Sequence, residues 1–203
     1  MDSIFLYWDN SNIFISAQDL AEEREGWGAR NRIRIHFPTM VRLARRQRPI
    51  GRALAVGSVP PQLRRVWNNL EAEGIEVQLF ERGKMGGQEQ GVDQALQTAM
   101  LRDALDNNGD PGTAVLLSGD GAGFVDGCGF HADLERMRRK GWRIEILAWR
   151  HSCNRRMRQW AEQNGRFIAL DDFYPCVTYL EEPQPGQPWA ESRAPQPLPA
   201  LED

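Results

Sequence analysis

Cysteine is scarce in this 203-residue chain, which has only Cys128, Cys153 and Cys176. None stands in a C-x-x-C pair, and an odd, scattered set argues against a disulfide-stapled scaffold and suits a reduced compartment. Long apolar runs are also missing, since no stretch approaches the ~20 residues that span a bilayer. No membrane partner is expected. The opening MDSIFLYWD has an acid at its second position and turns at once into a strand-like run, unlike a secretory leader. A cytoplasmic protein is therefore expected. The histidines His36, His131 and His151 share no metal-ligand spacing. Lysine is nearly absent, at Lys84 and Lys140, so 23 of the 25 basic residues are arginine.

What is present suits a globular domain. Apolar residues make up 41% of the chain, and a soluble domain of this size buries about two thirds of its unfolded surface. The formal net charge of -3 hides an uneven distribution. Residues 181–203 hold six of the twelve prolines, five acids and one arginine, a tail expected to be flexible or docked as an extended strap. Residues 1–180 balance to +1, with nine arginines in 24–52 and eight in 136–158. Arginine's planar fork suits phosphate, and two such blocks can form an electrostatic footprint for nucleic acid, or simply a solvated helix face.

Along 1–180, short apolar runs alternate with helical patterns. Strands are expected at 3–9, 52–57, 75–80, 113–118, 142–149 and 166–170. Helices are expected at 37–48, 61–73, 92–107, 131–140 and 152–163. TAVLLS (113–118) is nearly all apolar, as in a central parallel strand buried on both faces. Repeated strand–helix units predict a parallel sheet covered by helices. Residues 19–36 carry alternating Arg32, Ile33, Arg34, Ile35 and His36, either an arginine-edged β excursion or an ordered loop over a site. Arg32 and Arg34 are expected to meet substrate phosphates.

Three acids fall where chemistry is expected. Asp9 closes the first strand in LYWDNSN, Asp120 follows the central strand in VLLSGDG, and Asp93 opens a helix in QGVDQAL. Sites in open parallel sheets form outside the carboxyl ends of the strands. Asp93 reaches that edge if the loop before it returns there. Carboxylates gathered within a few ångströms repel unless a cation neutralises them, and hard oxygen donors suit Mg²⁺ or Mn²⁺. Such an ion polarises a phosphoryl oxygen and activates water. Asn10, Ser11 and Asn12 after Asp9, and Ser118 before Asp120, can hold a carboxylate, position water or contact a phosphate. Each acid also has a structural reading, as a helix cap or turn residue, and SGDG can be an anion-binding nest.

In this order and spacing, DNSN at 9–12, GVDQAL at 91–96 and LLSGDG at 116–121 resemble the NYN family, a branch of the PIN-like nuclease superfamily. The resemblance covers roughly residues 3–170 and implies a PIN-like three-layer α/β/α sandwich with a central, mostly parallel sheet. It implies a domain over 1–180 and metal-dependent cleavage of RNA at an acidic cleft. Asp9, Asp93 and Asp120 take the positions of the family's metal-site acids, and Asn12 a polar position beside the first. Two departures stand out. The family commonly has SGDxDF, whereas this chain reads SGDGAGF with Ala122 at the second acid, and Ala99 replaces an acid often found on the GVD helix. Asp126, farther along the glycine-rich loop, can swing back to supply a carboxylate.

The remaining motifs are weaker. GAGFVDGCGF (121–130) lacks the Gly-Lys-Ser/Thr ending of a P-loop, though its glycines permit positive φ or close approach to a substrate. Lys84 in ERGKMGG can meet a phosphate or stay solvated. His131 is a candidate proton donor or a helix-start histidine with a structural bond. Trp8, Trp67, Trp142, Trp149 and Trp160 fit helix–sheet packing, while Trp27 is the best exposed stacking residue. An RNA endonuclease is the leading expectation. A catalytically impaired RNA-binding or assembly module and a small-molecule phosphohydrolase are the competitors, and a homodimer or protein partner is possible.

Overall fold

The computed structural model describes residues 3–58, 68, 70–80, 88–106, 111–183 and 191–201. Its centre is β1 (Ile4–Asp9), buried on both sides because its side chains alternate between two apolar layers. Ile4, Leu6 and Trp8 enter one core, whereas Tyr7, flanked by Phe5, enters the other. The same period of two sorts β3 (Ile50–Ser58), with Ala53 and Ala55 on the first side and Leu54 and Val56 on the second. In β5 (Thr113–Leu117), Val115 and Leu117 face one layer, Ala114 and Leu116 the other.

With β4 (Glu76–Phe80), β6 (Arg143–Ala148) and β7 (Arg166–Ala169), these strands form a six-stranded sheet in the order β4-β3-β1-β5-β6-β7. Every pairing in it is parallel. The first layer over the sheet comes from α1 (Asn10–Glu25) and α3 (Phe37–Arg45), separated by the short α2 (Ala29–Arg32) and β2 (Ile33–Ile35). The second layer comes from α4 (Gln88–Asp106), α5 (Gly129–Arg139) and α6 (Arg155–Asn164). The fold is the expected three-layer α/β/α sandwich.

The strand order matters for function. From β1 the chain moves outward on one side through β3 and β4, then returns across β1 to continue through β5, β6 and β7. Strand order therefore reverses between β1 and β5, and in open α/β sheets ligands bind outside the carboxyl ends of the strands at such a point.

Expected strands are found within about two residues of their sequence boundaries. Helix α1 was not expected. Its Ile13, Ala17, Leu20 and Ala21 are buried at helical spacing, and Asp9 caps its start by accepting the Asn12 N–H at 3.0 Å. The β excursion is present: β2 pairs antiparallel with β8 (Thr178–Leu180), which follows a short helix α7 (Tyr174–Val177). Of the helix expected at 61–73, residues 68 and 70–72 are helical and most others lie outside the described residues, as do the turn around 107–110, Lys84, Trp67 and Trp189. Residues 191–201 dock as a strap: Leu180 and Arg193 exchange backbone hydrogen bonds, and Leu198 and Leu201 pack on the first core. Among the described residues no helix is long and apolar enough to cross a membrane.

Candidate functional site

Asp9 ends β1 in register with Val56 of β3, one residue beyond the Trp8–Leu117 pair, so it lies at the carboxyl end of the strand where the order reverses. It is 5% exposed. Its Oδ1 accepts the Asn12 N–H at 3.0 Å, and its Oδ2 accepts the Ser118 hydroxyl at 3.2 Å. Asn12 in turn accepts the Gly119 N–H at 2.9 Å through its side-chain oxygen, bolting the first turn of α1 to the loop after β5. Trp149, at the end of β6, donates from Nε1 to the Ile13 carbonyl at 2.9 Å and fixes the same turn from another side.

Asp120 stands next to this cluster. Its N–H donates to Ser118 Oγ at 3.2 Å, and its Oδ1 accepts the Ala122 N–H at 2.9 Å. Burial pushes the Asp9 carboxyl up to about 6, and the negative charge of Asp120 adds to that rise. Hydrogen bonds from Asn12, Ser118 and Ser11 oppose the shift without cancelling it. The fold thus holds a buried carboxylate beside a second one at an energetic cost. A hard divalent cation fits such a pair, because one or two protein carboxylates with waters are its usual complement. Asn10 Oδ1, buried and without a hydrogen-bond partner, is a further oxygen beside Asp9 in the chain.

The remaining expected acids lie on other elements. Asp93 lies in the second turn of α4, half-buried. Asp103 on that helix accepts from Tyr7 Oη at 2.8 Å and Arg52 Nη1 at 3.0 Å. Asp93 is therefore about 15 Å along the axis from Asp103, toward the carboxyl edge. Among the described residues no group of three acidic, histidine or cysteine side chains that could hold a metal ion is present. Ala99 is buried in the second core, and Asp126 is exposed in a 3₁₀ turn, Phe124–Asp126. That turn is held by Arg136, which donates to the Gly127 carbonyl at 2.6 Å.

The first arginine block is largely internal wiring. Arg32 is 7% exposed and donates to the carbonyls of Glu181 and Glu191 at 3.0 and 3.1 Å. Arg34 pairs with Glu181 at 2.6 Å, Arg48 with Glu145 at 2.7 Å and Arg52 with Asp103 at 3.0 Å. His131 makes no structural hydrogen bond. Both ring nitrogens are buried without hydrogen-bond partners, Nε2 lies 3.9 Å from Glu135 Oε1, and the ring stacks on Phe124 with centroids 3.9 Å apart. Burial holds its pKa below the usual histidine range. Trp27 is 76% exposed, whereas Trp8 packs edge-on against Phe37 under α3.

One residue beside the site escaped the sequence reading. Asn154 caps α6 by accepting the N–H groups of Arg156 and Met157, and its own N–H donates to the Gly119 carbonyl at 2.8 Å. A β-carbon on Gly121 would fall 2.5 Å from Asn154 Cβ. The asparagine reads as a cap before a helix, but only the fold brings it onto the Asp120 loop.

The family model of the NYN domain matches residues 3–171. The chain belongs to the NYN domain family. The NYN match carries with it a nuclease-like fold, and NYN nucleases generally depend on divalent metal. The chain is also similar in fold to the crystal structure of a protein of unknown function from Vibrio parahaemolyticus, at 18% identity and a TM-score of 0.62. That similarity covers 84% of this chain and 94% of the other. No curated relative matches.

Proposed function

We propose that this NYN protein is a ribonuclease that hydrolyses RNA phosphodiester bonds at the crevice between Asp9 and Asp120, with Mg²⁺ or Mn²⁺ as its ion. The observation that supports this most is the Asp9–Ser118–Asp120 chain at the point where strand order reverses, with a buried carboxyl raised to about 6. A carboxylate so placed is the group a cation relieves.

Asp9 and Asp120 would hold the ion, with Asp93 as the third acid of the expected set. A divalent cation bound there supplies a Lewis acid for the phosphoryl oxygen and a water of lowered pKa. The chain's own residues do the positioning. Ser118 donates to one oxygen of Asp9 while accepting the Asp120 N–H, which ties the Asp120 backbone to the Asp9 carboxylate. Asn12 holds the Gly119 backbone against the start of α1, which ties the loop carrying Asp120 to the turn that follows Asp9. Hydrolysis forms one P–O bond from water and breaks the bond to the leaving ribose oxygen, without a covalent protein intermediate.

The test is cleavage of single-stranded and structured RNA with added Mg²⁺ or Mn²⁺ by wild type, Asp9→Asn and Asp120→Asn. Both variants should lose at least ~100-fold. Metal-independent cleavage, or undiminished cleavage by both folded variants, removes this reading. A second reading, an RNA-binding or assembly module with impaired catalysis, draws on Ala99 and Ala122, which stand where the family often carries acids. It predicts salt-sensitive RNA binding that needs no divalent ion and produces no cleavage.

A further inference from the structure

We infer that Arg155 and Arg156, at the first turn of α6, are positioning residues that hold RNA phosphates flanking the scissile one, an assignment resting on the ribonuclease reading. In the second arginine block, Arg136, Arg150 and Arg158 are compensated by Asp133, Asp172 and Glu162. Arg155 and Arg156 have no carboxylate partner among the described residues, and both are exposed.

Their location is set by contacts already fixed. The residue just before them, Asn154, lies on the Asp120 loop through its hydrogen bond to Gly119 and its close approach to Gly121. Arg156 then lies over the Phe124 ring, its guanidinium carbon 4.7 Å from the ring centroid. Phe124 is itself backed by His131 at 3.9 Å. The Arg156 fork is thereby oriented on an aromatic support rather than waving free, which lowers the entropy lost when it binds an anion. The amino end of α6 is not the donor, because the Asn154 side chain already occupies it.

The electrostatic logic is complementary. Asp9 and Asp120 repel a polyanion, and phosphates next to the scissile bond need positive charge close by to enter the crevice. Two uncompensated arginines on the flank of the Asp120 loop provide it, with geometry suited to phosphate oxygens. They act on binding and register, away from the reacting atoms.

The test measures equilibrium binding of a single-stranded RNA to wild type, R155A/R156A and R155K/R156K in EDTA, across a range of salt concentrations. Each lost phosphate contact should reduce the magnitude of the slope of log K against log salt by about 0.7 for a single strand. The alanine pair should therefore lose about 1.4 in slope and at least tenfold in affinity at low salt. The lysine pair should keep most of the slope but bind more weakly than wild type. In cleavage assays the alanine pair should raise KM at least ~10-fold, a larger effect than its effect on kcat. An unchanged slope and affinity in the alanine pair, with wild type binding RNA, overturns this assignment and leaves the ribonuclease reading standing. RNA binding that depends on the pair without any cleavage removes the catalytic reading and overturns the assignment to phosphates beside a scissile bond, leaving the two arginines as a plain RNA contact. A wild type that binds no RNA overturns both.

Discussion

Ser118 donates its hydroxyl to Asp9 Oδ2 at 3.2 Å and takes the Asp120 N–H on its oxygen at the same distance. One buried hydroxyl thus spans the two acids and favours the ionised form of the more buried one. Replacing Ser118 by Ala removes that bond from Asp9 and leaves the Asp120 N–H short of an acceptor. A hydrogen bond to a charged group contributes about 1.5–3 kcal/mol, so the Asp9 pKa should climb a further unit or more. Titration of the Asp9 carboxyl by carbon-detected NMR checks this. An apparent pKa equal to that of wild type would show that Ser118 does not stabilise the carboxylate.

Asp9→Asn should stabilise the metal-free protein while abolishing cleavage. The folded Asp9 carboxyl titrates at about 6 against an ordinary 3.8, so the native state binds this proton more tightly than the unfolded chain. Stability from Asp9 is complete below about pH 4 and is lost as pH rises through about 6. A shift of about two units is worth roughly 3 kcal/mol. Asparagine keeps the capping oxygen that Asn12 needs, so the variant avoids the charge penalty and not the cap. Urea unfolding in EDTA should show the advantage of Asp9→Asn near zero at pH 4 and about 1–3 kcal/mol at pH 7.5. Added Mg²⁺ should then raise the Tm of wild type more than that of the variant. A gap that fails to widen with pH contradicts the burial argument.

The alternation of β1, the apolar run of β5 and the acids after both were legible in the sequence, because period two and turn chemistry are local. Helix α1 was hidden by its own start: Asn10, Ser11 and Asn12 favour turns, and Ile13–Phe14–Ile15 resembles a strand. Its signal was Asp9 as a cap followed by Ile13, Ala17, Leu20 and Ala21. Charge pattern alone did not separate arginines that face solvent from those that wire the fold. Arg32 reads like Arg155 in sequence, yet it is buried against two carbonyls supplied by the distant residues Glu181 and Glu191. The position of Asp93 relative to the pair depends on the approach of α4, which periodicity does not specify.

The docked strap gives a direct stability test. Arg193 pairs with Glu25 at 2.8 Å and donates to the Thr178 hydroxyl and carbonyl, both at 2.9 Å, tying residues 191–201 to α1 and β8. Tyr174 Oη also donates to Glu25, at 2.5 Å. Arg193→Ala strands a half-buried carboxylate and should cost about 2–3 kcal/mol, lowering Tm by roughly 4–10 °C for a domain of this size. Arg30→Ala breaks an exposed pair with Asp19 and should cost no more than about 0.5–1 kcal/mol. Calorimetry of the two variants side by side checks the ranking, and equal losses would mean that the strap contributes nothing special.

Gly121→Ala tests how the crevice is framed. An added β-carbon meets Asn154 Cβ and Cγ, each at 2.5 Å. Asn154 has little freedom to retreat, because its side chain caps α6 and its N–H is bonded to Gly119. The clash should cost about 1–3 kcal/mol and push the start of α6, with Arg155 and Arg156, away from Asp120. RNA affinity should fall although no phosphate-facing side chain has changed. The companion variant Gly121→Ala/Asn154→Gly relieves the overlap, and glycine at a cap position costs only a few tenths of a kcal/mol. The double variant should therefore be more stable than Gly121→Ala alone and recover most of the RNA affinity. If chemical denaturation finds the two losses simply additive, the Gly121–Asn154 contact is not what sets the position of α6.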